Sequence, residues 1–217
     1  MKVIITGTTG MVGEGVLHEC LLDPRVESVL IINRRPLGLA DPKLKEIIHN
    51  DFYNLQPIAH QLGGYDACFF CLGVSSIGMK EPDYYRLTYT LTLNIAGLLS
   101  QLNPGMCFSY VSGKSTDSTE HGRLMWARVK GKTENDLMKL PFKSVYAFRP
   151  GFIKPTKGLK NTHRFYNFIG WLFPLGRRLS PGGFCTLQEL GRAMIRVAAD
   201  GYPKAILEGK DIIEAGR

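Results

Sequence analysis

A β-branched apolar run that passes at once into a glycine cluster constrains this chain more than any other feature: Lys2-Val-Ile-Ile-Thr6, then Gly7-Thr8-Thr9-Gly10-Met11-Val12-Gly13. The run reads as a buried strand and the segment beyond the glycines as a helix. Strand, glycine turn and helix together make the context in which such spacing marks a dinucleotide site instead of an ordinary turn. Gly7 lets the chain turn tightly, Gly10 lets backbone approach a pyrophosphate, and Gly13 lets helix pack on strand. The anion then sits over backbone N–H groups that lack intrahelical partners, at the positive end of the helix dipole. Thr8, Thr9, Met11 and Val12 lie between the glycines and are assigned to the same contact.

A length of 217 residues suits one α/β domain with a proper core and is too short for two large ones. Hydrophobic content of 44% and charged content of 21% are ordinary for a globular protein. The excess of 27 Lys+Arg over 19 Asp+Glu gives +8, which raises nucleic acid or a membrane surface as partners. Yet the basic residues are scattered, apart from small groups at Arg34-Arg35, 154–160 and Arg177-Arg178. No basic stripe interleaved with aromatics occurs, so no nucleic acid is expected; a phosphorylated cofactor accounts for part of the charge. The five cysteines are odd in number. Cys68-Phe-Phe-Cys71 has redox or zinc spacing but lies inside a strand-like run, and no second Cys/His pair completes a zinc site, so core cysteines are expected and no metal. No signal peptide precedes the first strand, and no run reaches the ~20 apolar residues of a spanning helix. The expectation is a cytoplasmic, reduced protein.

Strand candidates alternate with helical segments along the chain. After the first strand comes a helix over 11–22, stopped by Asp23-Pro24, then strands at 28–32, 47–48 and 67–72. A long helix is expected over 83–102, a fifth strand at 106–111, a helix at 126–140 and a sixth strand at 145–148. Such alternation implies an α/β fold with a doubly wound, mainly parallel sheet, because parallel neighbours need crossover connections. Beyond Arg149-Pro150 the pattern loosens, with frequent Gly and Pro until a last helix at 187–200. Residues 1–217 are therefore read as one domain, with a cofactor-binding core at 1–153 and a small C-terminal substrate-side or lid region at 154–217.

A sheet of this kind holds its ligand beyond the carboxyl ends of its strands. After the second strand stand Asn33, Arg34 and Arg35, with no acid to grip a ribose diol. A guanidinium fork suits a 2′-phosphate, which favours NADP over NAD; the alternative is a solvated arginine pair in a turn. Asp51 and Phe52 after the third strand bracket an adenine, and Leu72, Gly73 and Val74 after the fourth pass the nicotinamide-side ribose.

TGTTGMVG, NRRP, DF, DACFFCLG, YVSGKS, WARVK and FRPGF occur in the order of the short-chain dehydrogenase/reductase superfamily. The chain resembles its atypical branch of small Rossmann-type NAD(P)-binding proteins, epimerase-like or oxidoreductase-like, over residues 1–153. The resemblance implies a small-molecule substrate and cofactor contacts at Lys130 and Pro150. It also implies a catalytic Ser, then a Tyr-x-x-x-Lys in which Tyr donates the proton and Lys lowers its pKa and holds the ribose. Ser112 and Lys130 fill two of these places, but the residue four before Lys130 is Trp126. An indole N–H is a donor only and is no general acid or base near neutrality. Tyr110, two before Ser112, and Glu120 or His121 in the loop before the helix are the substitutes considered, and Ser112 has an alternative role in capping its strand end. The reading is thus an NADP-dependent oxidoreductase- or epimerase-like protein or, alternatively, a non-catalytic NADP-binding redox sensor or assembly partner. The tail carries Phe165-Tyr-Asn-Phe-Ile-Gly-Trp-Leu-Phe-Pro-Leu175, expected to wall or cover the cleft. Docking on a membrane surface is the less favoured reading, and the oligomeric state is left open.

Overall fold

The computed structural model describes residues 1–161 and 173–217. The opening apolar run is the middle of the sheet: Val3, Ile4, Ile5 and Thr6 have no accessible surface, as a parallel strand covered on both faces requires. This strand, β1 (Lys2–Thr6), pairs in parallel with β2 (Ser28–Asn33) on one side and β4 (Ala67–Phe70) on the other. β3 (Leu44–Ile48) flanks β2, while β5 (Cys107–Val111), β6 (Ser144–Arg149) and β9 (Ile206–Glu208) extend the other side. The order is β3-β2-β1-β4-β5-β6-β9, parallel throughout. It reverses direction between β1 and β4, the switch point beyond which ligands of such sheets lie.

Alternation along the strands feeds two cores. Val3, Ile5, Val29, Ile31 and Phe69 pack beneath α1 (Met11–Leu22) and α6 (Leu187–Asp200). Ile4, Leu30, Ile32, Phe70 and Phe108 pack beneath α3 (Leu91–Leu102) and the end of α4 (Met125–Leu137). Cys68 belongs to the second cluster and Cys71 packs against the first, so the two thiols of the C-x-x-C spacing lie on opposite faces, and all five cysteines are free. A short helix α2 (Glu81–Tyr85) runs through a π-helical turn, Arg86–Thr90, into α3.

The tail does more than border a cleft. α6 packs on α1 and β9 adds a strand to the main sheet, so residues 187–217 share the central core. Thr186 and Glu189 cap α6 reciprocally, Glu189 N–H donating to Thr186 Oγ1 at 3.0 Å and Thr186 N–H to Glu189 Oε2 at 2.8 Å. A second, two-stranded parallel sheet joins β7 (Phe152–Lys154) to β8 (Phe184–Thr186). Helices α5 (Phe173–Leu179) and α7 (Gly209–Ala215) complete the tail. The expected aromatic cover at 165–175 lies mostly outside the described residues. Phe173, its described aromatic, is buried, with ring centroids 6.4 Å from Phe152 and 6.1 Å from Phe184.

Candidate active site at the strand ends

Gly7 has a φ of +76°, and a Cβ there would stand 2.7 Å from the backbone of Cys71. At Gly13 a Cβ would lie 2.2 Å from Gly7 O. Both glycines are demanded by the chain's own packing. Gly10 is different. Its φ of −103° and ψ of 162° suit any residue, and a Cβ would meet only Gly7 O, at 3.4 Å. Gly10 is exposed, so nothing inside the protein asks for glycine there. No side chain caps α1, which leaves the first-turn N–H groups of Met11, Val12 and Gly13 without intrahelical acceptors. A pyrophosphate fits this end.

Beside the turn, a cleft of about 660 Å³ runs over the ends of β4, β5 and β6. It brings together Gly10, Met11 and Val12, then Leu72, Gly73 and Val74 after β4, Ser112 after β5, Lys130 on α4 and Pro150 after β6. Cys71, Lys114 and Gly151 also line it, none of which the sequence reading assigned. Lys114 lies within the YVSGKS run, two residues past Ser112, and strand-end position was the signal that marked it.

At the end of β2 the polar groups divide. Thr8 and Asn33 are buried; Thr8 Oγ1 donates to Asn33 Oδ1 at 2.9 Å, and Asn33 Nδ2 donates to Glu46 Oε1 at 2.9 Å. Glu46 Oε1 also accepts from Leu37 N–H at 2.9 Å. The Asn33 side chain therefore ties the glycine turn to β3, and Glu46 is spent on holding it. Arg34 and Arg35 are exposed and make no ion pair among the described residues. Thr9 is exposed beside the turn, Asp51 is exposed with Oδ1 accepting from Tyr53 N–H at 2.9 Å, and Phe52 is buried in the core. Glu14, on the first turn of α1, accepts from the N–H of Lys160 at 2.8 Å and of Asn161 at 2.7 Å. That clasp from the tail was invisible in the sequence.

The Ser112 N–H and hydroxyl both donate to Phe148 O, at 2.9 and 3.2 Å. Ser112 thus binds β5 to β6 at the edge of the cleft it lines. Its carbonyl accepts from Lys130 Nζ at 2.6 Å. Trp126 precedes Lys130 by one helical turn, and its Cζ3 stands 4.0 Å from where a Cβ on Gly113 would be. The indole therefore lies beside Gly113, the residue after the serine. Tyr110, 1% exposed in the core with its hydroxyl pKa raised by burial, has no access to a ligand. Glu120 and exposed His121 are not cleft residues.

Burial pushes the Lys130 ammonium down to about 8, against an upward pull from Glu134 one turn on. An unfolded lysine titrates near ~10.4. Between these values the unfolded chain binds the extra proton, so stability rises with pH across that window; below it the native state carries the cost of a desolvated charge. Lys130→Met is expected to stabilise the protein by about 1–2 kcal/mol at neutral pH, after allowing about 1 kcal/mol for the lost bond to Ser112 O. Chemical denaturation at neutral pH and above pH ~10.4 checks it: the gain disappears at the higher pH, and a gain independent of pH refutes it. Beneath Lys130, Glu134 is 1% exposed and paired with Arg149, whose Nε lies 3.1 Å from both carboxylate oxygens.

No protein-family model matches the sequence. Among curated proteins, the chain is 24% identical over 227 residues to "Protein FMP52, mitochondrial" of Saccharomyces cerevisiae, covering 99% of this chain and 96% of that one. It is 27% identical to "Leucinostatins biosynthesis cluster protein T" of Purpureocillium lilacinum, covering 100% and 89%. Of solved structures, MoeE5 in complex with UDP-glucose and NAD superposes with a TM-score of 0.69 at 17% identity, covering 99% of this chain and 80% of that one. A short chain dehydrogenase family protein from Francisella tularensis gives 0.63 at 17% identity, covering 92% and 91%. Together these likenesses establish a Rossmann-type fold. They also overturn the cytoplasmic expectation, since the FMP52 relatives, in Debaryomyces hansenii as in Saccharomyces cerevisiae, are named mitochondrial. The features behind that expectation bear on secretion and on spanning helices, neither of which separates cytosol from mitochondrion. No described helix is long and apolar enough to cross a membrane.

Proposed function

We propose that this chain binds NADP in the strand-end cleft and acts as an oxidoreductase- or epimerase-like protein on a small-molecule substrate. One observation carries the reading: the uncapped end of α1, with an exposed glycine that no internal contact requires, opens into the same cleft as Ser112 and Lys130. When bound, the dinucleotide supplies or accepts a hydride at its nicotinamide ring. The N–H groups of Met11, Val12 and Gly13 hold the pyrophosphate. Lys130, with one N–H spent on Ser112 O, offers a second to a ribose hydroxyl. Leu72, Gly73 and Val74 border the nicotinamide side. Arg34 and Arg35, exposed and without acid partners among the described residues, take the 2′-phosphate.

Calorimetric titration with NAD and NADP tests this. NADP is expected to bind more tightly, and the Arg34→Ala/Arg35→Ala variant to lose roughly 1.5–3 kcal/mol per contact, about ten- to a hundredfold in affinity each. Equal affinity for the two dinucleotides, or an unaffected double variant, refutes the preference. A non-catalytic NADP-binding role is the second reading, favoured by Trp126 one turn before Lys130. Steady oxidation of NADPH with a carbonyl substrate excludes it.

A further inference from the structure

We infer that Lys130 is itself the group that delivers the proton to the substrate oxygen, the task for which Trp126, one helical turn before it, has no usable proton. The inference rests on the proposed dinucleotide reading of the cleft and adds the identity of the acid. Lys130 lines the cleft, and its Nζ is fixed by donation to Ser112 O at 2.6 Å. An ammonium has three N–H donors; the other two have no protein acceptor among the described residues.

The competing protic groups fail one by one. The Ser112 hydroxyl hydrogen is committed to Phe148 O. Burial pushes the Cys71 thiol up to about 12. Tyr110 is sealed in the core; Lys114 and Ser75 line the cleft but are exposed, Lys114 with no side-chain hydrogen bond among the described residues and Ser75 with its Oγ accepting from Ile77 N–H, so neither is fixed in the cleft as Lys130 is on Ser112 O. The charged group that acts on Lys130 is Glu134 on its own helix, itself paired with Arg149 from β6; Lys114 and Cys71 line the same cleft. With its ammonium titrating at about 8, Lys130 is an acid matched to chemistry near neutrality.

The step balances simply. As the carbonyl carbon takes a hydride from the reduced nicotinamide dinucleotide, the C=O π pair moves to oxygen and an O–H bond forms. An N–H bond of Lys130 breaks, leaving a neutral amine that water protonates again.

The test reads Lys130 in the free protein first. Amine acylation followed residue by residue by mass spectrometry, across the range in which lysines titrate, is expected to give Lys130 a midpoint near 8, well below the ~10.4 of exposed lysines. The Lys130→Arg variant keeps the charge and the hydrogen bonding but has no dissociable proton in this range. Measured at saturating dinucleotide, it is expected to lose about a hundredfold or more in carbonyl reduction and to lose the wild type's alkaline decline in rate. A Lys130 midpoint with the surface lysines overturns the inference even if the dinucleotide binds, and so does an active Lys130→Arg that keeps the alkaline decline. A low Lys130 midpoint in a protein that binds neither dinucleotide overturns the functional reading instead.

Discussion

Glu134→Leu is expected to destabilise the protein by about 3–5 kcal/mol, because it leaves Arg149 charged and buried without its carboxylate. Glu134 and Arg149 are 1% and 10% exposed at their side chains, and among the described residues Arg149 retains only Ser118 Oγ and a long contact to Glu208, 3.5 Å away. Since a domain is stable by roughly 5–15 kcal/mol in total, the loss is a large fraction of the whole. For a chain of this size it corresponds to roughly 6–20 °C in melting temperature. Glu134→Leu/Arg149→Met, which removes both charges, is expected to cost less than Glu134→Leu alone. A double variant as unstable as the sum of the singles shows that the pair is not coupled. The pair also matters to chemistry, since it anchors α4 to the β6 end and so sets where Lys130 meets Ser112.

The second large effect belongs to the glycine turn. In Gly13→Ala the new methyl lies 2.2 Å from Gly7 O and 2.5 Å from Gly7 C, both backbone atoms with nowhere to go. Gly7 is itself wedged against Cys71 on β4, so the strain spreads into the middle of the sheet. Overpacking costs about 1–3 kcal/mol, and a clash with fixed backbone atoms belongs at the upper end of that range. Thermal unfolding in the absence of ligand is the check: a Gly13→Ala protein that melts with the wild type refutes the close approach.

How much of this was legible beforehand follows from the range of the interactions. β1, its glycine turn and α1 are local patterns, and the alternation of strand and helix located six strands of the main sheet. β7, β8 and β9 span three residues each, too few for periodicity to register. The strand-end rule pointed to Leu72, Gly73 and Val74, and the family resemblance to Ser112 and Lys130; all five line a single cleft. Asn33 was read with Arg34 and Arg35 as a cofactor contact; what the sequence did not reveal is that its amide is engaged by Thr8, 25 residues before it, and Glu46, 13 after it. Glu134 with Arg149 and Glu14 with residues 160 and 161 are likewise pairs that only tertiary folding brings together. The Trp126 position, by contrast, was readable from helical spacing, and the indole does pack beside the serine loop.

The central claim is that the end of α1 receives a dinucleotide, and Gly10→Val isolates it. The backbone there is extended, a Cβ meets only Gly7 O at 3.4 Å, and the residue is exposed. The fold should therefore lose no more than about 1 kcal/mol, the cost of a poorer helix cap, while the isopropyl group covers the approach to the Met11, Val12 and Gly13 N–H groups. Calorimetric titration of wild type and Gly10→Val with NADP is the measurement. The account predicts binding by the wild type and a loss of a hundredfold or more in a variant that melts within a few degrees of it. Equal binding by both proteins, or no binding by the wild type, contradicts it.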